Sequence, residues 1–218
     1  MGARPELGHT WPVRLGPAAT AIGDVALRPL RRSDRTRWQQ LRLRDEALIR
    51  RWDPTARRGW REQHSATVWR EHRVTLRTAA RNGLAFPFAI TVDSVFAGQV
   101  TVAGVQRFPV HSGWVGYWVG SEFTGHGVAT LAVALAAGHA LGAGGLHRVD
   151  ATVSPDNAPS RRVLEHLGFR QEGLLRRYLD VDGEWRDHQL WAITVEELPG
   201  GAADLLARAH AAVSSPDR

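Results

Sequence analysis

The sequence predicts a single mixed α/β domain with a mostly antiparallel central sheet flanked by helices. Two observations support this class: a meander of apolar strand-like runs fills the middle of the chain, and strand and helix patterns alternate after it. The 218 residues, 43% of them hydrophobic, suffice for one domain with a sizeable core. We expect an N-terminal extension over residues 1–20, the folded domain over 21–197 and a C-terminal tail over 198–218.

The N-terminal third contains two short strand patterns followed by two helix patterns. The runs "WPVRL" and "VALRPL" resemble strands, and the turn-rich "GPAATAIGD" separates them. A first helix begins at Ser33 or Asp34, carries Trp38, Leu41 and Leu48 on one side, and stops before Pro54. A second helix follows in "HSATVWREHRVTLRTAARNG" and closes at its final Asn-Gly pair.

The middle and C-terminal parts supply the other strands and two more helices. Residues 93–94 separate "FPFAITV" from "VFAGQVTVAGV", which indicates a hairpin, and "HSGWVGYWVG" is the next strand. A glycine loop and an Ala/Leu/Val-rich helix follow, to about Leu141. The strand "HRVDATVS" leads into a helix opened by Asn157 and closed by Gly168, and two last strands flank residues 182–183.

The basic residues are unevenly distributed along the chain. All 28 are arginine, and residues 1–81 hold 18 of them against 8 acidic residues, a balance of +10, whereas the remainder has a balance of −4. Arginine-favouring codon usage and solvated helix faces explain this pattern; the alternative is a basic face for polyanions such as ribosomal RNA or coenzyme phosphates. Five of the nine tryptophans lie in the same third, where they either stack on bases or form the apolar ridges of the two helices.

Cysteine is absent, which excludes disulfides, thiolate zinc sites and cysteine nucleophiles. We predict no metal site. The sequence has no apolar run of 18 residues and no apolar stretch behind its N-terminal charges, so we expect neither a membrane span nor a secretory signal. A cytoplasmic enzyme is the expected class.

The stretch "TGHGVAT" lies where an apolar strand turns into a helix. A helix N-terminus presents main-chain N–H groups without intrahelical partners and a partial positive charge, and glycines let an anion approach them. The stretch therefore predicts a pyrophosphate cradle, with a tight turn that binds nothing as the alternative. The cradle residues are Thr124, Gly125, His126, Gly127, Val128, Ala129 and Thr130. A Walker loop is excluded because the chain has no lysine, and the dinucleotide fingerprint lacks its third small residue.

Two stretches, "YWVGSEFTGHGVATLAVAL" and "HRVDATVSPDNAPSRRVLEHLGFRQEG", resemble the GNAT superfamily of acetyl-CoA-dependent N-acetyltransferases. The family's loop pattern, Gln/Arg-x-x-Gly-x-Gly/Ala, is matched at Gly127 and Ala129, whereas Thr124 replaces the usual Gln or Arg. The segment "NAPSRRVLEHLGF" and the ending "GFRQEGLLRRYLDVDGEWRDHQLWAI" are similar to the branch with RimJ- and RimL-type ribosomal-protein N-terminal alanine acetyltransferases. The resemblance covers roughly residues 25–197 and implies splayed central strands.

The resemblance also implies roles for four residues. In this family the pantetheine arm lies between the strand before the glycine loop and the strand "HRVDATVS". By resemblance, Trp118 and Val119 hydrogen-bond the pantetheine arm through their main-chain groups, and Asn157 does so through its side-chain amide. The alternative for Asn157 is that it only caps the following helix. Ser160 would donate a proton to the coenzyme sulfur, or be a helix-surface serine. The implied cosubstrate is acetyl-CoA, with direct transfer to the acceptor because no cysteine can carry the acetyl group, and with no metal.

No sequence motif identifies the general base that would accept the proton of the amine. Four side chains are candidates: Asp150, Glu122, Tyr117 and His111. An α-amine, with a pKa of about 8, is about one-tenth neutral at pH 7, whereas a lysine side chain, with a pKa of about 10.4, is neutral in about one molecule in 2,500. A site without a strong base therefore favours an N-terminal amine. Asp187 and His188 either orient the acceptor or pair across strands.

Three functions compete. The first is acetylation of the N-terminus of a ribosomal protein, with the basic N-terminal third as the expected place of any ribosomal RNA contact. The second is acetylation of a polyamine or aminoglycoside. Such a polycation would need an acidic groove, and the net charge of +6 does not indicate one. The third is a ribosome- or RNA-binding protein with a vestigial acetyltransferase fold, which the intact loop and "NAPS" disfavour.

Overall fold

A computed structural model describes residues 11–214 of the chain. Its secondary structure follows the chain in the order strands, helices, strands, then alternating elements. The strands are β1 (Leu15–Thr20), β2 (Gly23–Arg28), β3 (Phe86–Val92), β4 (Val95–Gln106), β5 (Ser112–Val119), β6 (Arg148–Val153), β7 (Arg170–Val181) and β8 (Glu184–Thr194). The helices are α1 (Arg35–Arg44), α2 (Glu46–Ile49), α3 (Trp60–Gln63), α4 (Ala66–Arg81), α5 (Val128–Leu141), α6 (Ala158–Leu167) and α7 (Ala202–Ser214).

The eight strands form one sheet in the order β1-β2-β3-β4-β5-β6-β8-β7. Every neighbouring pair is antiparallel except β5 and β6, which run parallel. This confirms the predicted mixed, mostly antiparallel sheet flanked by helices. A parallel pair needs a crossover connection, and α5 supplies it.

The two faces of the sheet carry two separate apolar layers. Helix α5 is buried almost along its whole length, so its Ala/Leu/Val composition shows no polar face. It packs on the large core under β2 to β6. The opposite face packs against α1 and α4 through Trp38 and Trp69, which are 6% and 2% exposed. The interpretation of these tryptophans as apolar helix ridges is therefore confirmed, and these two rings are not available to stack on bases.

The N-terminal strand differs from the prediction. Strand β1 occupies "LGPAAT", most of which was expected to be the connector, rather than "WPVRL". Pairing with β2 overrides the turn signal of Gly-Pro, and β1 is an edge strand, where proline is tolerated. The first predicted helix is divided into α1 and α2 at Asp45, and the four-residue α3 was not predicted.

Three other local predictions are confirmed. Asp93 and Ser94 both have positive φ, at 46° and 71°, as a two-residue hairpin turn requires. The β7–β8 hairpin turns at Asp182 and Gly183. Helix α6 begins after Asn157 and ends at Gly168, whose φ is 80°.

The ends of the described chain also pack on the domain. The Arg208 side chain of α7 donates to the carbonyl oxygens of Leu167 and Glu197, at 3.0 and 2.9 Å. Residues 1–10 of the expected extension and 215–218 of the expected tail lie outside the described residues, and the division at 20 and 197 remains a prediction. Among the helices of the described part, none has the length and apolar character to cross a bilayer.

Candidate active site

The central feature of the site is a gap in the sheet between β5 and β6. These strands pair only where Ser112 to Trp114 meet Arg148 to Asp150, and both then continue to their C-terminal ends without pairing. On their other sides β5 pairs with β4, with one irregularity near Gly113, and β6 pairs with β8. The sheet is therefore open as a wedge, and α5 and α6 both begin at its mouth.

The edge of β5 that faces the gap offers main-chain groups of Val119 and Tyr117. The Gly120 N–H donates to the Ala97 carbonyl of the adjacent β4 segment at 2.8 Å, and the Trp118 carbonyl lies against Gly98. Main-chain groups alternate sides along a strand, so those of Val119 point into the gap. Of the two residues predicted for the pantetheine arm, Val119 thus faces the gap with its main chain, whereas Trp118 bonds toward β4.

The glycine loop ends at the N-terminus of α5. Gly127 is the N-cap, with φ 75°, and its carbonyl accepts the first intrahelical hydrogen bond from Leu131 at 3.0 Å. The N–H groups of Val128, Ala129 and Thr130 therefore have no intrahelical acceptor. These three donors and the positive end of a 14-residue helix meet at the mouth of the gap, which suits an anion.

The two loop glycines are required for different reasons. An added Cβ on Gly125 would meet no atom within 4 Å, so this residue is open to solvent and to a ligand. An added Cβ on Gly127 would lie 2.2 Å from Cγ2 of Val213, near the C-terminal end of α7. Both residues have a positive φ, which favours glycine; at Gly127 the neighbouring Val213 also excludes a Cβ, whereas Gly125 leaves free room for a phosphate.

The polar side chains of the loop contribute less than its main chain. The Thr124 hydroxyl donates to the Ser121 carbonyl at 2.8 Å and so closes the turn before the loop. His126 is exposed at the surface of the loop, and Thr130 is buried in the first turn of α5. An anion bound at this loop would therefore meet chiefly main-chain N–H groups.

Asn157 and Ser160 stand on the opposite wall of the gap. The Asn157 side chain accepts from the Ser160 N–H at 3.2 Å, so it caps α6. The Ser160 hydroxyl lies 2.7 Å from the hydroxyl of Tyr117 on β5. The structure thus brings together one residue from each strand–helix unit, 43 positions apart.

Three of the four candidates for the general base are ion-paired or protonated. Burial raises the pKa of Tyr117 to about 12, so its phenol remains protonated at neutral pH. Glu122 pairs with Arg37 and Arg44, and Asp150 with Arg148. A carboxylate held by a guanidinium is a poor proton acceptor.

His111 and the C-terminal pair complete the predicted polar residues. His111 lies in the β4–β5 connection with φ 50°, at the closed end of the wedge. The Asp187 carboxylate accepts from the Arg177 N–H at 2.8 Å and stabilises a bulge where Arg177 has φ 48°. The buried His188 contacts the Arg186 carbonyl at 3.2 Å. Both side chains thus have their polar partners within the β7–β8 hairpin.

A buried polar cluster supports the face of β5 opposite α5, and sequence reasoning missed it. The Arg42 guanidinium lies between the rings of Trp60 and Trp118, 5.0 Å from each ring centroid, and pairs with Asp53. Its Nε donates to Nε2 of His64 at 2.9 Å, which requires a neutral imidazole. Burial, with the Arg42 charge, lowers the pKa of His64 to about 4. The alternation of Arg and Trp along the N-terminal third was the only signal of this cluster.

The donor set of the site suits a diphosphate linked to an extended amide chain. Loop N–H groups, the open strand edge and two hydroxyls match those ligand parts, and the missing Cβ of Gly125 leaves access. In residues 11–214, His, Asp and Glu side chains form no group of three that could hold a metal ion.

Comparisons with known proteins point to one family. The family model described as acetyltransferase (GNAT) domain matches residues 24–170. The solved structure of Mycobacterium smegmatis RimJ in complex with CoA-disulfide is 47% identical, with a TM-score of 0.88, over 92% of this chain and 96% of that one.

Two curated relatives extend the comparison. The ribosomal protein uS5-alanine N-acetyltransferase of Escherichia coli is 28% identical over 157 residues, which are 71% of this chain and 79% of the relative. The probable N-acetyltransferase YjcK of Bacillus subtilis is 37% identical over 101 residues, but the match spans only 56% of its length.

Proposed function

Because this chain belongs to the GNAT acetyltransferase family, we propose that it transfers the acetyl group of acetyl-CoA to the N-terminal α-amine of a ribosomal protein. The observation that carries the proposal is the wedge between β5 and β6, with unpaired N–H groups of α5 at its mouth. Both acetyl-CoA and ribosomal proteins are cytoplasmic, and we place the reaction there.

Each part of the coenzyme has a counterpart in the wedge. The N–H groups at residues 125–130 would hold the pyrophosphate, with the α5 dipole favouring its charge. The Val119 edge of β5 would bind the pantetheine arm as an added strand. Asn157 and Ser160 would face that arm from α6. With no cysteine in the chain, the acetyl group passes directly from coenzyme to amine.

The electrostatics of the site favour an acceptor that is already partly neutral. The candidate carboxylates are ion-paired with arginines, and Tyr117 remains protonated, so none of these three side chains stands unpaired in the wedge. An α-amine with a pKa of about 8 is neutral about 250 times more often at pH 7 than a lysine side chain. This ratio supports an N-terminal amine, with water accepting the proton.

The names of two relatives support a ribosomal acceptor: one is a RimJ and the other a uS5-alanine N-acetyltransferase. We also propose that ribosomal RNA contacts the basic N-terminal third. Arg73, Arg77 and Arg81 recur at every fourth position of α4 and line a groove of about 200 Å³ beside Leu30. Among residues 11–214, no acidic side chain pairs with these three arginines.

The test of the acceptor uses labelled acetyl-CoA and peptides that begin with Ala, Ser or Met, beside polyamines. Each peptide carries an internal lysine, and product mapping locates the label. Label on the α-amine of peptides supports the proposal. Label on polyamines or on the lysine side chain alone contradicts it.

The RNA contact needs a separate measurement. A plot of the logarithm of RNA affinity against the logarithm of salt concentration has a negative slope, and each phosphate contact contributes about 0.7 to 0.9 to its magnitude. The triple variant Arg73→Gln, Arg77→Gln, Arg81→Gln should therefore reduce the magnitude of this slope by about 2 to 3. An unchanged slope would place any RNA contact elsewhere. Acetylation of a free peptide should be the same in both proteins.

A further inference from the structure

The hydroxyls of Tyr117 and Ser160 form a contact that the family resemblance did not assign. Tyr117 lies on the face of β5 toward α5 and α6, and its OH is 2.7 Å from Ser160 Oγ and 3.3 Å from the Ser160 carbonyl. In the described part of the chain, no other side-chain hydrogen bond joins β5 to α6. The contact therefore spans the wedge at the residue expected to meet the coenzyme sulfur.

Relative acidity favours one direction for this hydrogen bond. A phenol is more acidic than an alcohol, so the tyrosine hydroxyl is the better donor and the serine oxygen the better acceptor. Desolvation keeps the pKa of Tyr117 at about 12, so the phenol retains its proton throughout the physiological range. When Tyr117 donates to Ser160 Oγ, the serine proton is left to point elsewhere.

The Asn157 cap and the Tyr117 hydroxyl together restrict where that proton can point. Asn157 holds the Ser160 N–H at 3.2 Å and so fixes the first turn of α6. Without Tyr117, a helical serine turns its hydroxyl back to a main-chain carbonyl one turn earlier. With Tyr117 donating, the Ser160 oxygen is held toward β5, which leaves the serine proton to be donated into the gap.

We propose that Tyr117 is a positioning residue that fixes the Ser160 hydroxyl as a hydrogen-bond donor toward the coenzyme sulfur. The inference rests on the proposed function. In the transfer, the amine forms the C–N bond, the C–S bond breaks, and the sulfur leaves with the electron pair while it accepts the Ser160 hydrogen bond. The amine's proton passes to water, and the sulfur takes its proton from solvent.

Acidity explains why the hydroxyl pair donates a hydrogen bond rather than a proton. A thiol has a pKa of about 8.5, several units below that of either hydroxyl, so complete transfer from Ser160 to a thiolate is uphill. A preorganised donor still stabilises the developing charge. This replaces the proton-donor role expected for Ser160 with a hydrogen-bonding role.

The test measures the thiol pKa of CoA bound to the protein, from its ultraviolet thiolate absorbance. The chain has no cysteine, so the coenzyme supplies the only thiol, and the readout does not depend on acetyl transfer. Ser160→Ala and Tyr117→Phe should each raise this pKa by about one unit relative to the unmodified protein. The double variant should raise it no further than Ser160→Ala alone, because Tyr117 acts through Ser160.

Kinetics and a matched control complete the experiment. Tyr117→Phe should lower kcat about tenfold with little change in KM for acetyl-CoA. The control is Tyr178→Phe, at the only other tyrosine, which is half-exposed on β7 and should change neither quantity. An unchanged thiol pKa in Tyr117→Phe, or additive effects in the double variant, would overturn the inference.

The outcomes for the inference and for the proposed function can be told apart. A shifted thiol pKa in a protein that acetylates none of the amines tested supports the Tyr117–Ser160 pair and contradicts the proposed acceptor. Acetylation of peptides with no effect of Tyr117→Phe supports the function and refutes the pair. Failure of CoA to bind would contradict both.

Discussion

Replacing Gly127 with alanine should destabilise the protein more than the same change at Gly125, because α7 packs against only one of the two. Both glycines have a positive φ, 75° and 80°, and a Cβ there costs about 1–2 kcal/mol. At Gly127 the new Cβ would also lie 2.2 Å from Val213 Cγ2, and such overpacking costs about 1–3 kcal/mol more. We therefore expect losses of about 2–5 kcal/mol for Gly127→Ala and about 1–2 kcal/mol for Gly125→Ala.

Removal of the opposing side chain should relieve the clash. Val213→Ala alone removes two half-buried methyl groups, at a cost of about 1 kcal/mol. In the double variant Gly127→Ala, Val213→Ala, the loss in the free energy of unfolding should be smaller than the sum of the single losses by about 1–3 kcal/mol. Gly125→Ala, Val213→Ala should be additive, which makes it the matched control.

Denaturant unfolding with linear extrapolation measures these differences. Additivity within about 0.5 kcal/mol for the Gly127 pair would refute the contact between the loop and α7. The result also decides how to test the cradle. A substitution at Gly127 perturbs the fold and the site together, so a loss of CoA affinity there would not identify the binding site. A substitution at Gly125 should leave the protein folded, so a loss of CoA affinity there would indicate that the loop binds the coenzyme.

Three further predictions concern α6, the N-terminal ion pair and pH. Asn157→Asp should keep the helix cap and the melting temperature but lower the affinity for CoA, whereas Asn157→Ala should also lower the free energy of unfolding by about 1 kcal/mol. Calorimetry measures the affinity and thermal melts measure the capping role. Equal CoA affinity in the two variants and the unmodified protein would leave Asn157 only the role of a helix cap. Asp34→Asn should lower the free energy of unfolding by about 3–5 kcal/mol, because the buried Arg28 guanidinium, which lies 2.7 Å from the Asp34 carboxylate, would lose its charged partner. A loss below about 1 kcal/mol in denaturant unfolding would contradict a stabilising ion pair at this position. The pKa of His64 is about 4 in the fold and about 6.5 in the unfolded chain, so the unfolded state takes up the proton first and stability falls as pH drops from about 6.5 to 4. His64→Gln should flatten that slope, and an identical pH profile would contradict the neutral imidazole beside Arg42.

Local signals were sufficient for much of the fold. The turn at residues 93–94 and the helix between Asn157 and Gly168 are both set by residues within a few positions of one another, and both were predicted. Strand β1 was displaced because its pairing with β2 overrides the turn chemistry of Gly16-Pro17. Helix α3, at four residues, is too short to show a helical period.

The candidate site was predictable where one short segment builds it. The glycine loop is such a segment, since a positive φ and a helix start follow from its own residues. Contacts between distant segments left no pattern in the sequence. Gly127 and Val213 meet because α7 packs against α5, and Tyr117 and Ser160 meet because α6 packs beside β5.

The most direct test of the account is a crystal structure of the protein with CoA bound. We expect the diphosphate on the N–H groups of residues 125–130 at the start of α5, and the pantetheine arm along the Val119 edge of β5. Density for the diphosphate at another surface, with the wedge between β5 and β6 unfilled, would contradict the account.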